Sequence, residues 1–159
     1  MDGLRRLYRV VSVRPISYGG SPSQMVEYAT KRWDQDRDRF DHVWCVADVD
    51  DYREDIDKAV RLASRAKISL VISNPCFEFW LLLHFTNHVA WLNDAAAAVA
   101  KVCRHVPSYD KTKLDFDSFA PGIHNAIDRA RAITDAGKDH RHNPTTTMWR
   151  LATAIVGAG

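Results

Sequence analysis

Residues 42–52 read His-Val-Trp-Cys-Val-Ala-Asp-Val-Asp-Asp-Tyr, so three carboxylates, Asp48, Asp50 and Asp51, follow directly on an apolar run. Asp48 and Asp50 are two apart and project to the same side of an extended chain. Like charges that close repel one another, and a cation relieves the repulsion. Hard oxygen donors of this kind suit magnesium or manganese, which marks Asp48, Asp50 and Asp51 as candidate metal ligands. Aspartate is also favoured at helix N-caps and in first turns, and one of the three fits that structural use. Three exceed what a cap requires, which favours the metal site.

A second stretch, residues 73–85, reads Ser-Asn-Pro-Cys-Phe-Glu-Phe-Trp-Leu-Leu-Leu-His-Phe, with Asn74 as a cap and Pro75 at the first position of an apolar helix. Glu78 stands out there, because an unpaired buried carboxylate costs several kcal/mol. An exposed first-turn glutamate favoured by the helix dipole is the structural alternative. Its place just past a strand end, beside the aspartates, favours function. Cys76, near a helix N-terminus, could have a lowered thiol pKa, but with no evident partner base it reads as structural. Residues 109–113, Tyr-Asp-Lys-Thr-Lys, offer two amines; Lys111 is a candidate phosphate contact and Lys113 reads as solvated. His140 and His142 form the closest histidine pair and read as solvated surface rather than a ligand set.

These residues need elements to hold them. Residues 43–47 suit a strand covered on both faces, since the apolar run is unbroken. Ile56, Ala59, Val60, Ala63 and Ala66 repeat at helical spacing over residues 54–67, and residues 68–72 form another apolar strand. Earlier in the chain, Leu4, Leu7 and Tyr8 suggest a helix and residues 10–13 a strand. Ser21, Pro22 and Gln24 form the start signal of a helix that continues through Met25, Tyr28, Ala29 and Trp33. The alternation predicts three parallel strands near 10–14, 42–48 and 68–73 with helices on both faces. The aspartates then lie at the carboxyl end of a buried strand, where open α/β sheets bind ligands. Residues 93–105 and 122–136 read as helices, and Asn143-Pro144 as the start of a last helix that packs through Met148, Trp149, Ala152, Ile155 and Val156. The whole is one domain, residues 1–159, with an α/β part over 1–86 and a helical subregion over 87–159.

At 46% hydrophobic and 26% charged residues the composition is that of a soluble globular chain, and a formal net charge of +2 is too small to argue for nucleic acid by itself. The lack of a span-length apolar run or a signal-peptide pattern points to a cytoplasmic protein with no membrane partner. Cys45, Cys76 and Cys103 are odd in number and without paired metal spacing, and read as reduced, mostly buried thiols.

The stretches at 43–51 and 73–85, with Tyr109-Asp110-Lys111, Asn143-Pro144-Thr145 and Trp149, together resemble the RloB-like family. That family is similar to the Toprim fold, a Rossmann-like three-layer α/β sandwich with a short parallel sheet, in which a Glu and an Asp-x-Asp hold magnesium for strand cleavage or joining. The resemblance places Asp48 and Asp50 on the Asp-x-Asp, and Glu78 and Lys111 at positions the family shares. It implies a magnesium- or manganese-dependent nuclease-like domain of a prokaryotic restriction or phage-defence system, with nucleic acid as substrate and an AAA-type ATPase as partner. The alternative is a non-catalytic subunit of such an ATPase. Family members begin with a strand and a Gly-Glu-Lys-Thr-Glu-like turn ahead of the Leu4 to Tyr8 helix. This chain has neither, so the family's first metal-binding Glu has no counterpart here, and the resemblance implies either a start codon placed too far downstream or a truncated form of weak or no activity.

Overall fold

The computed structural model describes residues 12–49 and 52–157. The predicted helix around Leu4 to Tyr8, Val10 and Val11 of the first predicted strand, and both Asp50 and Asp51, lie outside the described residues. Ser12, Val13 and Arg14 form no strand. The first element is α1, Pro22–Gln35, and it starts where the sequence says it should: the Ser21 amide donates to Gln24 Oε1 at 3.0 Å.

Strand β1, Trp44–Asp48, leads into α2, Arg53–Ala66, and then β2, Ser69–Asn74. β1 and β2 are parallel, in a register that sets Trp44 opposite Ser69 and Asp48 opposite Ser73. The third strand differs from the prediction. β3, Thr145–Thr146, runs antiparallel to β2 opposite Ser73 and Asn74, giving the order β1-β2-β3. Asn143-Pro144 therefore introduces this short strand. The last helix, here α6, starts later, at Met148, and runs to Val156. Ile72 closes the junction by exchanging hydrogen bonds with Thr147, which donates its amide to the Ile72 carbonyl and accepts the Ile72 amide on Oγ1, both at 2.9 Å.

The sheet divides the core. Alternate β1 residues Cys45 and Ala47 meet α1 and α2 through Val26, Ile56, Ala59 and Ala63, while Val71 on the other face of β2 joins a larger cluster built from the C-terminal helices. Those are α3, Phe77–Leu82, α4, Ala95–Cys103, α5, Ile123–Asp135, and α6. The arrangement is a three-layer α/β fold with a helical C-terminal part. β1 is not covered on both faces as its apolar run suggests: Val46 is 40% exposed at the middle of the strand. A continuous apolar run marks burial on both faces only where a layer reaches each face, and here the C-terminal helices gather over β2.

Helix α3 is buried throughout apart from Phe77, and its register is fixed by a ring stack around His84. The His84 Nδ1 donates to the Trp80 carbonyl at 3.0 Å, and its ring lies edge-on between Trp80 and Phe119. Gly122 passes so close to the His84 carbonyl that a Cβ there would collide with it. Burial pushes the His84 pKa down from 6.5 to about 4.

Between those two pH values the unfolded chain binds a proton at His84 that the folded chain does not, so stability falls on acidification across that window. The losses from Asp55 and Asp57, whose hydrogen-bonded carboxylates have lowered pKa values, fall below it. Urea melts between pH 7 and 4 should therefore show a decline that His84→Leu flattens above pH 4. Truncating the buried Trp80 to alanine should cost roughly 3 to 5 kcal/mol in the same melts.

Candidate functional site

The parallel register builds the site. Asp48 ends β1 directly opposite Ser73, so the turn that follows β2, from Asn74 through Cys76, lies beside the end of β1. Within the sheet's alternation Asp48 shares a face with Trp44 and Val46, and Ser73 shares it from β2. The Ser73 hydroxyl is 2.8 Å from the Thr146 hydroxyl, which closes that side. Asn74 is not a helix cap. It belongs to β2, its Nδ2 donates to the His140 carbonyl at 2.9 Å, and Cys76 takes the N-cap position of α3.

Glu78 sits in the first turn of α3 with only 9% of its surface exposed, so it is buried rather than the solvated first-turn acid of the structural alternative. Its Oε1 accepts a hydrogen bond of 3.1 Å from the Tyr109 hydroxyl. Among the described residues no cation pairs with it. Burial, then the hydrogen bond with Glu78 and its charge, and more weakly the charge of Asp48, push the Cys76 thiol well above its ordinary value. Cys76 is thus a buried, neutral thiol, and its chemistry is inert. Burial and the Glu78 charge also push the Tyr109 phenol up. Burial raises Cys45 to about 11, and all three cysteines are free thiols, as the spacing suggests.

The other predicted residues divide. Lys111 and Lys113 are both exposed, and Lys111 is two residues from Tyr109 in the same turn. Asp50 and Asp51 are outside the described residues, and among the described residues no three acidic, histidine or cysteine side chains converge on one point. The site that is visible therefore rests on Asp48 and Glu78. The two loop histidines differ: His142, exposed as expected, has Nδ1 3.3 Å from Asp139, whereas His140 is not solvated surface, its side chain being 16% exposed with Nε2 2.9 Å from Asp57 Oδ1. A cleft of about 420 Å³ opens elsewhere, among α2, β2 and the loop after α5, and is lined by neither Asp48 nor Glu78. Tyr109 is the residue that spacing alone missed. Its contact spans 31 positions of sequence, and the only signal for it was its place in the Tyr-Asp-Lys motif.

A model of the family described as RloB-like protein matches residues 2–155. The chain belongs to the RloB-like family. No curated protein and no solved structure matches it. Among the described residues of this RloB-like chain no helix is long and apolar enough to cross a membrane.

A buried carboxylate without a cation destabilises the fold, and its neutral isostere relieves the penalty while Gln Oε1 still accepts from Tyr109. Glu78→Gln should melt at or above the wild-type temperature at neutral pH. A loss of roughly 3 kcal/mol, the size of a broken buried pair, would make the Glu78 charge a structural partner instead.

Proposed function

We propose that this chain is a magnesium- or manganese-dependent nuclease-like domain of Toprim-like design, serving a prokaryotic defence system beside an AAA-type ATPase. Membership of the RloB-like family is consistent with a defence-associated domain. The observation that carries the chemical reading is Glu78, a carboxylate buried with no paired cation among the described residues, in the first turn of the helix that follows β2, whose parallel partner ends at Asp48. Carboxylate oxygens are the donors a hard divalent cation takes, and two of them leave most of its positions to water. Asp48 and Glu78 would hold the ion from the β1 and α3 sides, with Asp50 and Asp51 as the further ligands the sequence offers.

Bound there, such a cation supplies Lewis-acid polarisation of a phosphoryl oxygen and a more acidic water. The chain's own residues do the rest. Tyr109 is a neutral donor to the Glu78 carboxylate, and the Tyr109 phenol and Cys76 thiol are both held protonated by their surroundings, so neither adds charge to the site. Lys111, at the surface beside Tyr109, is the group to neutralise a backbone phosphate of the substrate.

Cleavage of labelled single- and double-stranded oligonucleotides with manganese and with magnesium tests this reading. Wild type should cleave weakly, and Asp48→Asn and Glu78→Gln should each lower the rate about a hundredfold, the scale of a lost electrostatic stabiliser. Activity unchanged in both variants would assign the cleavage to a contaminant. A folded wild-type chain that cleaves nothing but binds its ATPase would select the non-catalytic subunit.

A further inference from the structure

The segment between α4 and the 3₁₀ turn at Phe116–Ser118 is exposed almost throughout, with Val106 buried and Tyr109 half-buried against the core. The Tyr109 ring packs edge-on to Phe119, centroids 6.2 Å apart, and its hydroxyl donates to Glu78 at 3.1 Å. Immediately after it the backbone makes an Asx turn. Asp110 Oδ1 accepts from the Thr112 amide at 2.8 Å and from the Thr112 hydroxyl at 2.7 Å, and the Lys113 amide donates to the Asp110 carbonyl at 3.0 Å. Lys111 is the central residue of this turn. Two Cα steps separate it from Tyr109, at most roughly 7 Å.

A lysine in a free loop loses side-chain and backbone entropy on meeting a ligand, and that loss is smaller when the loop is already ordered. The turn is ordered from both sides: internally by Asp110, and at its root by a hydrogen bond to the same carboxylate that the proposed cation site uses. Hydrogen bonding to Glu78 is therefore not only a way to satisfy a buried carboxylate. It also fixes the root of the turn that carries Lys111.

We infer that Tyr109 is a positioning residue, which ties the Asp110 turn to Glu78 so that Lys111 meets a backbone phosphate of the nucleic-acid strand at the mouth of the carboxylate site. The inference rests on the nuclease-like reading above and adds to it the residues that position its phosphate contact. Asp110 is the second positioning residue, acting through the turn.

The test is equilibrium binding of a fluorescent single-stranded oligonucleotide by anisotropy, with calcium in place of magnesium, over a range of salt. Tyr109→Phe keeps the ring against Phe119 and removes only the hydroxyl. Tyr109→Phe and Lys111→Ala should each weaken binding about tenfold and lower the salt slope by about one phosphate contact, and the double variant should be no weaker than either single one. Asp110→Asn, which keeps the acceptor oxygen, should bind like wild type, whereas Asp110→Ala should bind like Lys111→Ala. Additive losses in the double variant, or an unchanged salt slope in Tyr109→Phe, would overturn the positioning role while leaving the nuclease-like reading intact. A folded wild-type chain that binds no oligonucleotide at any salt would overturn both.

Discussion

The parallel pairing of β1 with β2 is the constraint on which the site depends. Because Asp48 stands opposite Ser73, the two strands end together, and the turn that leaves β2 starts beside the end of β1. β3 contributes to this although it is only two residues long. Its antiparallel contact pins the last residues of β2, and the hydrogen bonds between Ile72 and Thr147 carry the pinning into α6. A slip of one residue in the β1–β2 register would turn Asp48 to the opposite face, into the apolar cluster of Ala47, Val49, Ile56 and Ile72. Burial of that cluster holds the register, and so apolar packing on one face places a charged group on the other.

Glu78 shows the opposite balance. Helix α3 is among the most deeply buried parts of the chain, and its surroundings at position 78 suit an aliphatic side chain. A carboxylate is kept instead, with a phenol and a thiol as its neighbours and no cation among the described residues. Proteins tolerate such local conflicts chiefly at functional sites, where stability is given up for chemistry. His84, one turn and a half further along, is the contrasting case. It is equally buried, but it is neutral, hydrogen-bonded to its own helix and enclosed by rings, so it is explained by packing alone.

Much of this was legible in the sequence, and for identifiable reasons. The helical spacing of Ile56, Ala59 and Ala63 and the capping pair Ser21 and Gln24 are local signals, and they gave α1 and α2 nearly to the residue. The apolar residues around Glu78 raised its burial as one of two readings, and the structure selects it. What failed was set at long range. Thr145 and Thr146 become a strand only because β2 is beside them, and nothing in two threonines after Asn143-Pro144 says so. Val46 lies in an apolar run but is exposed, because coverage depends on where the C-terminal helices settle. Tyr109 reaches Glu78 across a loop with no periodicity to betray it.

The central claim is that Asp48 and Glu78 face one cation. Paramagnetic broadening by manganese, titrated into the ¹⁵N-labelled chain and followed amide by amide, tests it most directly. The account predicts that the amides of Asp48, Cys76 and Glu78 broaden first and together, and that Glu78→Gln weakens the effect at Asp48 as well. Broadening that begins instead around Asp57 and Asp139, or that leaves Asp48 unaffected while Glu78 responds, would contradict it.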